Sequence, residues 1–153
     1  MQKKIFLFFI LLLLSSCGYE ATHSKKNFKN YNFFIAKLNF EGERIINLKI
    51  KEKLNNYTLV EKDKKLILKI SSTSKKITLA KDTSGSSTNF QSKITLKIEV
   101  LINNKFKNNF EIVEYFNYAN NSNKFDLKKY EREIKSILAE TATNKLIYKL
   151  SNI

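Results

Sequence analysis

Lys93-Ile94-Thr95-Leu96-Lys97-Ile98-Glu99-Val100-Leu101-Ile102 is the stretch that decides the fold. Ile94, Leu96, Ile98, Val100 and Ile102 alternate with Lys93, Thr95, Lys97 and Glu99, the period of two that buries one face of a strand and wets the other. Asn103-Asn104 follows as a tight-turn signal, because asparagine tolerates positive φ. The chain then returns with Phe106, Phe110, Ile112, Phe116 and Tyr118 on one parity, so two long strands are expected to face each other. Upstream, Ser84-Gly85-Ser86-Ser87-Thr88 reads as a flexible loop that permits a reversal. Before it, Leu66, Leu68 and Ile70 share one parity, whereas Ile77 and Leu79 take the other. A one-residue offset turns every later side chain to the opposite face, which predicts a bulge or break between Ser71 and Lys76.

Farther out, Phe34, Ala36, Leu38 and Phe40 alternate as a half-buried strand that Gly42 ends. Ile46, Ile50 and Leu54 then recur at spacing four, with Ile45 and Leu48 widening the face, and predict a helix over Glu43–Asn55 stopped by Asn55-Asn56. Tyr57–Val60 reads as a short edge strand before the charged turn Glu61–Lys65. At the other end, Asp126 is the expected N-cap of a helix from Leu127 to about Leu150. Its ladder is Tyr130, Ile134, Leu138, Ala142, Leu146 and Leu150, broadened by Leu127, Ile137 and Tyr148. The element order gives an α+β fold for residues 31–153: a four-stranded, mostly antiparallel or mixed sheet with two helices packed on one face.

The chain's 153 residues leave room for one ordinary domain, and 42% hydrophobic with 12% aromatic residues supply its core. Its net charge of +14 is almost all lysine: Arg44 and Arg132 are the only arginines, so 28 − 2 = 26 lysines carry the rest. A Lys/Asn/Ile bias from genomic base composition explains this basicity as readily as selection does, and readers of phosphate or nucleic acid lean on arginine forks. Cys17 is the sole cysteine and cannot close an intrachain disulfide. His23, the sole histidine, falls in a polar tether, which argues against a Ser-His triad or a histidine metal site. No Gly-rich phosphate loop, HExxH or CxxC is present, and Glu111 and Glu114 point to opposite faces of a strand instead of pairing. The expectation is a protein that is not an enzyme and uses no cofactor or metal.

Residues 1–16 read as a lipoprotein signal peptide. Lys3 and Lys4 precede the apolar run Ile5–Leu14, which as a helix spans roughly 15 Å, half a bilayer core. Leu14-Ser15-Ser16-Cys17 looks like a lipobox, which makes Cys17 the lipid-attachment residue, modified with diacylglycerol and a further acyl chain such as palmitate. Removing residues 1–16 leaves 153 − 16 = 137 residues, and the loss of Lys3 and Lys4 lowers the side-chain charge from +14 to +12. Residues 17–30 are then the acylated N-terminus and tether, held by about 0.8 kcal/mol per buried methylene. Gly18, with no aspartate after the anchor, resembles lipoproteins sent to the outer membrane of a Gram-negative cell, where nucleic acid is a poor partner. Lys75, Lys76, Lys81 and Lys93 flank the loop around Gly85, and Lys97 continues one strand face. Such a face suits phosphorylated lipid headgroups, although solubilising lysines on a wet sheet give the same pattern. Phe90 and Tyr115 read either as exposed contacts for a protein partner or as ordinary packing.

Several segments in order carry a resemblance: Leu14-Ser15-Ser16-Cys17-Gly18-Tyr19, the strand running into Gly42-Glu43-Arg44, Ala80-Lys81-Asp82-Thr83-Ser84-Gly85 before the long strand, and the closing helix from Tyr130-Glu131-Arg132-Glu133-Ile134. Together they resemble the LPS-assembly lipoprotein LptE family over nearly the whole mature chain. The resemblance implies a two-helix, four-stranded domain seated as a plug in the outer-membrane β-barrel LptD, assisting barrel assembly and the insertion of lipopolysaccharide into the outer leaflet. On that reading Lys81, Lys93 and Lys97 are the candidates for lipopolysaccharide contact, and Phe90 and Tyr115 for contact with the barrel. The second reading is an envelope lipoprotein that carries lipid without a barrel partner.

Overall fold

The computed structural model describes residues 31–153; the signal segment, Cys17 and the tether to residue 30 lie outside the described residues. The chain runs through β1 (Phe33–Gly42), α1 (Arg44–Leu54), a 3-10 turn (Asn55–Thr58), β2 (Lys64–Lys81), β3 (Ser87–Ile102), β4 (Lys105–Ala119) and α2 (Lys124–Ser151). The strands lie in chain order in one sheet. β1 pairs with β2 in parallel, with α1 as the crossover that parallel pairing requires, and the other pairs are antiparallel. The fold is therefore α+β with a mixed four-stranded sheet.

The alternation in β3 does what its period dictates. Ile94, Leu96, Ile98 and Val100 are buried, and their cross-strand neighbours Leu68, Ile70 and Ile112 are buried with them. Ile46, Ile50 and Leu54 from α1 and Leu138, Ala142, Leu146 and Leu150 from α2 close the core from above. The two helices pack on each other and on this one face. Each fully buried leucine or isoleucine contributes about 1.5–3 kcal/mol, so this single layer carries most of the favourable free energy.

Five local readings are corrected by tertiary contacts. In β1 the register shifts between Ile35 and Lys37, so Phe33 and Ile35 are buried in place of Phe34 and Ala36, and the inward parity resumes at Leu38. The cause is aromatic packing: Phe33 stacks on Tyr57 with centroids 5.5 Å apart, and Tyr31 meets Tyr57 edge-on at 5.1 Å. Tyr57 arrives there on the 3-10 turn, which replaces the expected strand over Tyr57–Val60, and Leu59 and Val60 are exposed. α2 starts at Lys124 and its N-cap is Asn123, whose Oδ1 accepts from Phe125 N at 3.0 Å and Asp126 N at 3.3 Å. Asp126 sits in the first turn, where a carboxylate meets the positive end of the helix. The helix stripes are narrower than expected: Ile45, Leu48, Ile137 and Tyr148 are exposed and Tyr130 is half-exposed, while Ala139, Thr143 and Ile147 are buried. Finally, residues 82–86 form an organised turn, with the Asp82 carboxylate accepting from Ser84 N, Ser84 Oγ and Ser86 N.

The break expected between Ser71 and Lys76 does not exist. β2 pairs with β3 without interruption from Leu66 to Thr78, and the irregularity comes later, between Thr78 and Lys81. The parity change is nonetheless real. After Ile70 the inward positions are Ser72, Ser74 and Lys76, and Ile77 turns to the outer face. Two contacts make polar inward residues tenable. The Ser72 hydroxyl is buried at the β1–α1 corner and donates to Asn47 Oδ1 at 2.7 Å. Lys76 Nζ lies 2.6 Å from Glu131 Oε1 on α2 and 3.7 Å from the Phe90 ring centroid. Tyr118 OH donates to the same Glu131 oxygen at 2.9 Å, which ties β2, β4 and α2 together.

Burial pushes the Glu131 carboxyl up, but hydrogen bonds from Lys76 and Tyr118 and the charges of Lys76 and Lys135 outweigh it and leave it below its ordinary value of 4.5. A carboxyl whose pKa is depressed by folding adds stability above its unfolded value and loses it as pH falls through the folded one. Unfolding free energy should therefore decline as pH drops below 4.5, and Glu131→Gln should flatten that decline in denaturant titrations at several pH values. A second test concerns the β1–α1 corner. Gly42 has φ +92, and a Cβ there would sit 1.9 Å from Ser72 O, whereas Gly85, at φ +85, has nothing within 4 Å. Gly42→Ala should cost about 3 kcal/mol in urea unfolding, and Gly85→Ala only about 1 kcal/mol for the left-handed backbone.

Candidate functional site

With both helices on one face, the other face of the sheet is left to the odd-numbered residues of β3 and their neighbours. Register then sets the electrostatics. Glu99 lies opposite Lys69, and their charged groups meet at 2.9 Å. Lys97 lies between Ser71 on β2 and Glu111 on β4. Lys93 is different, because it stands directly opposite Lys75 on β2 and Tyr115 on β4. Among the described residues neither Lys75 nor Lys93 has an acidic partner within ion-pair distance. Directly opposed side chains have Cβ atoms about 5 Å apart, so two like charges there repel and destabilise the sheet.

The surroundings of this pair are apolar. Ile77, 39% exposed, is the next outward residue on β2 after Lys75. Val113 and Tyr115 are its counterparts on β4, and Tyr115 is 64% exposed. Thr73 and Thr95 occupy the adjoining row. Two unpaired cations framed by exposed aliphatic and aromatic groups match an amphiphile with an anionic headgroup. Toward the Asn103-Asn104 end, the same face holds a shallow groove of ≈ 690 Å³ lined by Lys69, Lys97, Glu99, Phe106, Asn109 and Glu111, among others.

The sequence-based candidates separate on this geometry. Lys93 and Lys97 share the open face, two outward steps apart on β3, roughly 13 Å along the strand. Lys81 ends β2 beside the 82–86 turn, about 20 Å along that strand from Lys75, and does not join them. Phe90 is 8% exposed, faces inward and packs on Tyr118 with centroids 5.7 Å apart, so its ring belongs to the core and is not an exposed contact. Tyr115 is exposed on the open face. Glu111 and Glu114 do lie on opposite faces; Glu114 turns inward, with its Oε1 2.6 Å from Lys145 Nζ. Lys75 is the residue whose role the linear pattern hides. The signal for it is turn symmetry: a hairpin centred on Ser84 pairs residues summing to 168, and 75 + 93 = 168.

The sequence matches no family model and no curated protein. The fold does have solved counterparts. The minor lipoprotein from Acinetobacter baumannii superposes with TM-score 0.61 at 11% identity, over 80% of this chain and 92% of that one. The rare lipoprotein B from Shewanella oneidensis gives 0.56 at 14% identity, over 76% and 97%. Lipoprotein B from Nitrosomonas europaea gives 0.56 at 13%, over 79% and 83%. At such identities the likeness is one of fold: residues 31–153 adopt the architecture that these bacterial lipoproteins share.

The Lys75–Lys93 opposition makes a signed prediction. Lys75→Glu exchanges a repulsion for an ion pair and should stabilise the domain by about 0.5–1 kcal/mol, read as a higher urea midpoint. An unchanged or lower midpoint means the two ammonium groups already avoid each other.

Proposed function

We propose that this protein is an outer-membrane lipoprotein of the lipopolysaccharide assembly machinery, anchored through acylated Cys17, that seats in a β-barrel partner of the LptD type and contacts lipopolysaccharide as it passes. The observation that carries the reading is the open sheet face, where Lys75 and Lys93 oppose each other beside Ile77, Val113 and Tyr115. A like-charged pair held in register is relieved by a bridging phosphate, and the apolar frame accepts the acyl or barrel surface that accompanies it. The sheet supplies rigidity, so the protein works as a wedge and scaffold, and no bond is made or broken. Three features support the location: the lipobox-like Leu14-Ser15-Ser16-Cys17, the Gly18 that follows, and a fold shared with bacterial lipoproteins.

The test is purification of the tagged mature lipoprotein from its host in mild detergent, followed by assay of the eluate for a barrel-sized protein and for lipopolysaccharide. The expected result is a barrel in equal amount with lipopolysaccharide bound. Lys75→Glu combined with Lys93→Glu should retain the barrel and lose most of the lipopolysaccharide. Elution without a barrel, or lipopolysaccharide binding indifferent to both substitutions, overturns the reading. Bound phospholipid without a barrel favours the lipid carrier instead.

A further inference from the structure

β4 forms one edge of the sheet, and among the described residues no strand pairs with its outer side. An unpaired edge of this kind displays a row of N–H and C=O groups ready to take another strand, and proteins ordinarily blunt it with proline, short length or a covering element. β4 has none of the first two: it is 15 residues long and contains no proline or glycine. Its apolar side chains are concentrated at this edge as well, with Phe106, Val113, Tyr115 and Phe116 all exposed. Charge along the strand is polarised. Lys105 and Lys107 stand at its start, and Glu111 and Glu114 lie beyond its midpoint with no base after them.

We infer that the β4 edge is a self-recognition surface that pairs antiparallel with β4 of a second copy, centred on Asn109. Two strands related by a two-fold axis pair residues at equal distance on either side of the centre, so a centre at 109 sets Lys107 opposite Glu111 of the second copy, twice per dimer. A centre at Glu111 or Glu114 would set two acids against each other, which disfavours those registers. Glu111 already neighbours Lys97 across β3, so the arrangement extends an alternating row of charge: Lys97, Glu111, then Lys107 of the second copy. The dimer joins two four-stranded sheets into one continuous eight-stranded sheet and removes both open edges at once. The inference is independent of the lipopolysaccharide reading, because it concerns the sheet edge and not the lysine pair on its face.

Sedimentation of the mature, full-length lipoprotein in mild detergent tests it, together with a photocrosslinking residue introduced at Asn109. The wild-type chain should sediment as a dimer in the micromolar range, and the crosslink should map to residues 107–111 of the second copy. Glu111→Lys and Lys107→Glu should each weaken the dimer roughly tenfold, since each turns two opposite-charge pairs into like-charge ones, and combining them should restore it. That restoration separates lost pairing from misfolding. A monomer at about 100 µM, a crosslink outside β4, or a dimer indifferent to both single changes overturns the proposal, as does pairing of the crosslinker to another protein only.

Discussion

One-sided burial of β3 is the constraint on which the rest of the molecule depends. A strand of period two can bury only one face against helices, and both helices of this chain are spent on that face. The core, the crossover that brings β1 alongside β2, and the placement of α2 across the sheet all follow from covering Ile94, Leu96, Ile98 and Val100. The opposite face is the remainder of that choice. Its chemistry is set by register, because nothing packs above it to rearrange the side chains among the described residues.

β2 shows how the two faces trade roles. Over Leu66–Ile70 its apolar residues point inward, where α1 is present to meet them. Past Ser72 the inward positions turn polar and reach Asn47 and Glu131, while Ile77 goes outward. The hydrophobic side of the strand thus crosses the sheet without a kink in the backbone. Sequence patterning alone reads that crossing as a bulge, because parity cannot distinguish a strand that flips from a strand whose surroundings exchange places. At this end of β2 the apolar side is the one that no helix covers, and the lysine opposition sits in the same place.

Legibility in the sequence tracked how local the determining contacts are. The β3–β4 hairpin, its Asn103-Asn104 turn with positive φ at both residues, and the α1 ladder Ile46, Ile50, Leu54 depend on neighbours a few residues away and were readable. The bulge in β1 depends on Tyr57, whose place is fixed only after the parallel crossover closes, and no periodicity announces it. The α2 stripe drifted for a related reason: it packs against α1 as well as the sheet, so Ala139 and Thr143 are buried where a single-face helix would bury Ile137. At the candidate site, Lys93 was visible as a strand-face cation, but its opposition to Lys75 required the register of a hairpin 18 residues apart, 93 − 75 = 18. Phe90 was ambiguous from sequence because an aromatic at a strand start reads equally as rim or core, and Tyr118 with Lys76 decides for core.

The parallel pairing of β1 with β2 also gives the domain a measured length. Phe33, the first residue of the sheet, lies beside Lys64, and Lys75 is 75 − 64 = 11 residues farther along the same strand. At about 3.3 Å per residue that is roughly 36 Å, somewhat more than the hydrocarbon thickness of a bilayer. The chain therefore joins the sheet at one end and holds its opposed lysines near the other, like a gauge rod of fixed span. An anchor ahead of residue 31 sets where the rod begins, and the stiffness of the strands sets how far from that point its charged mark stands.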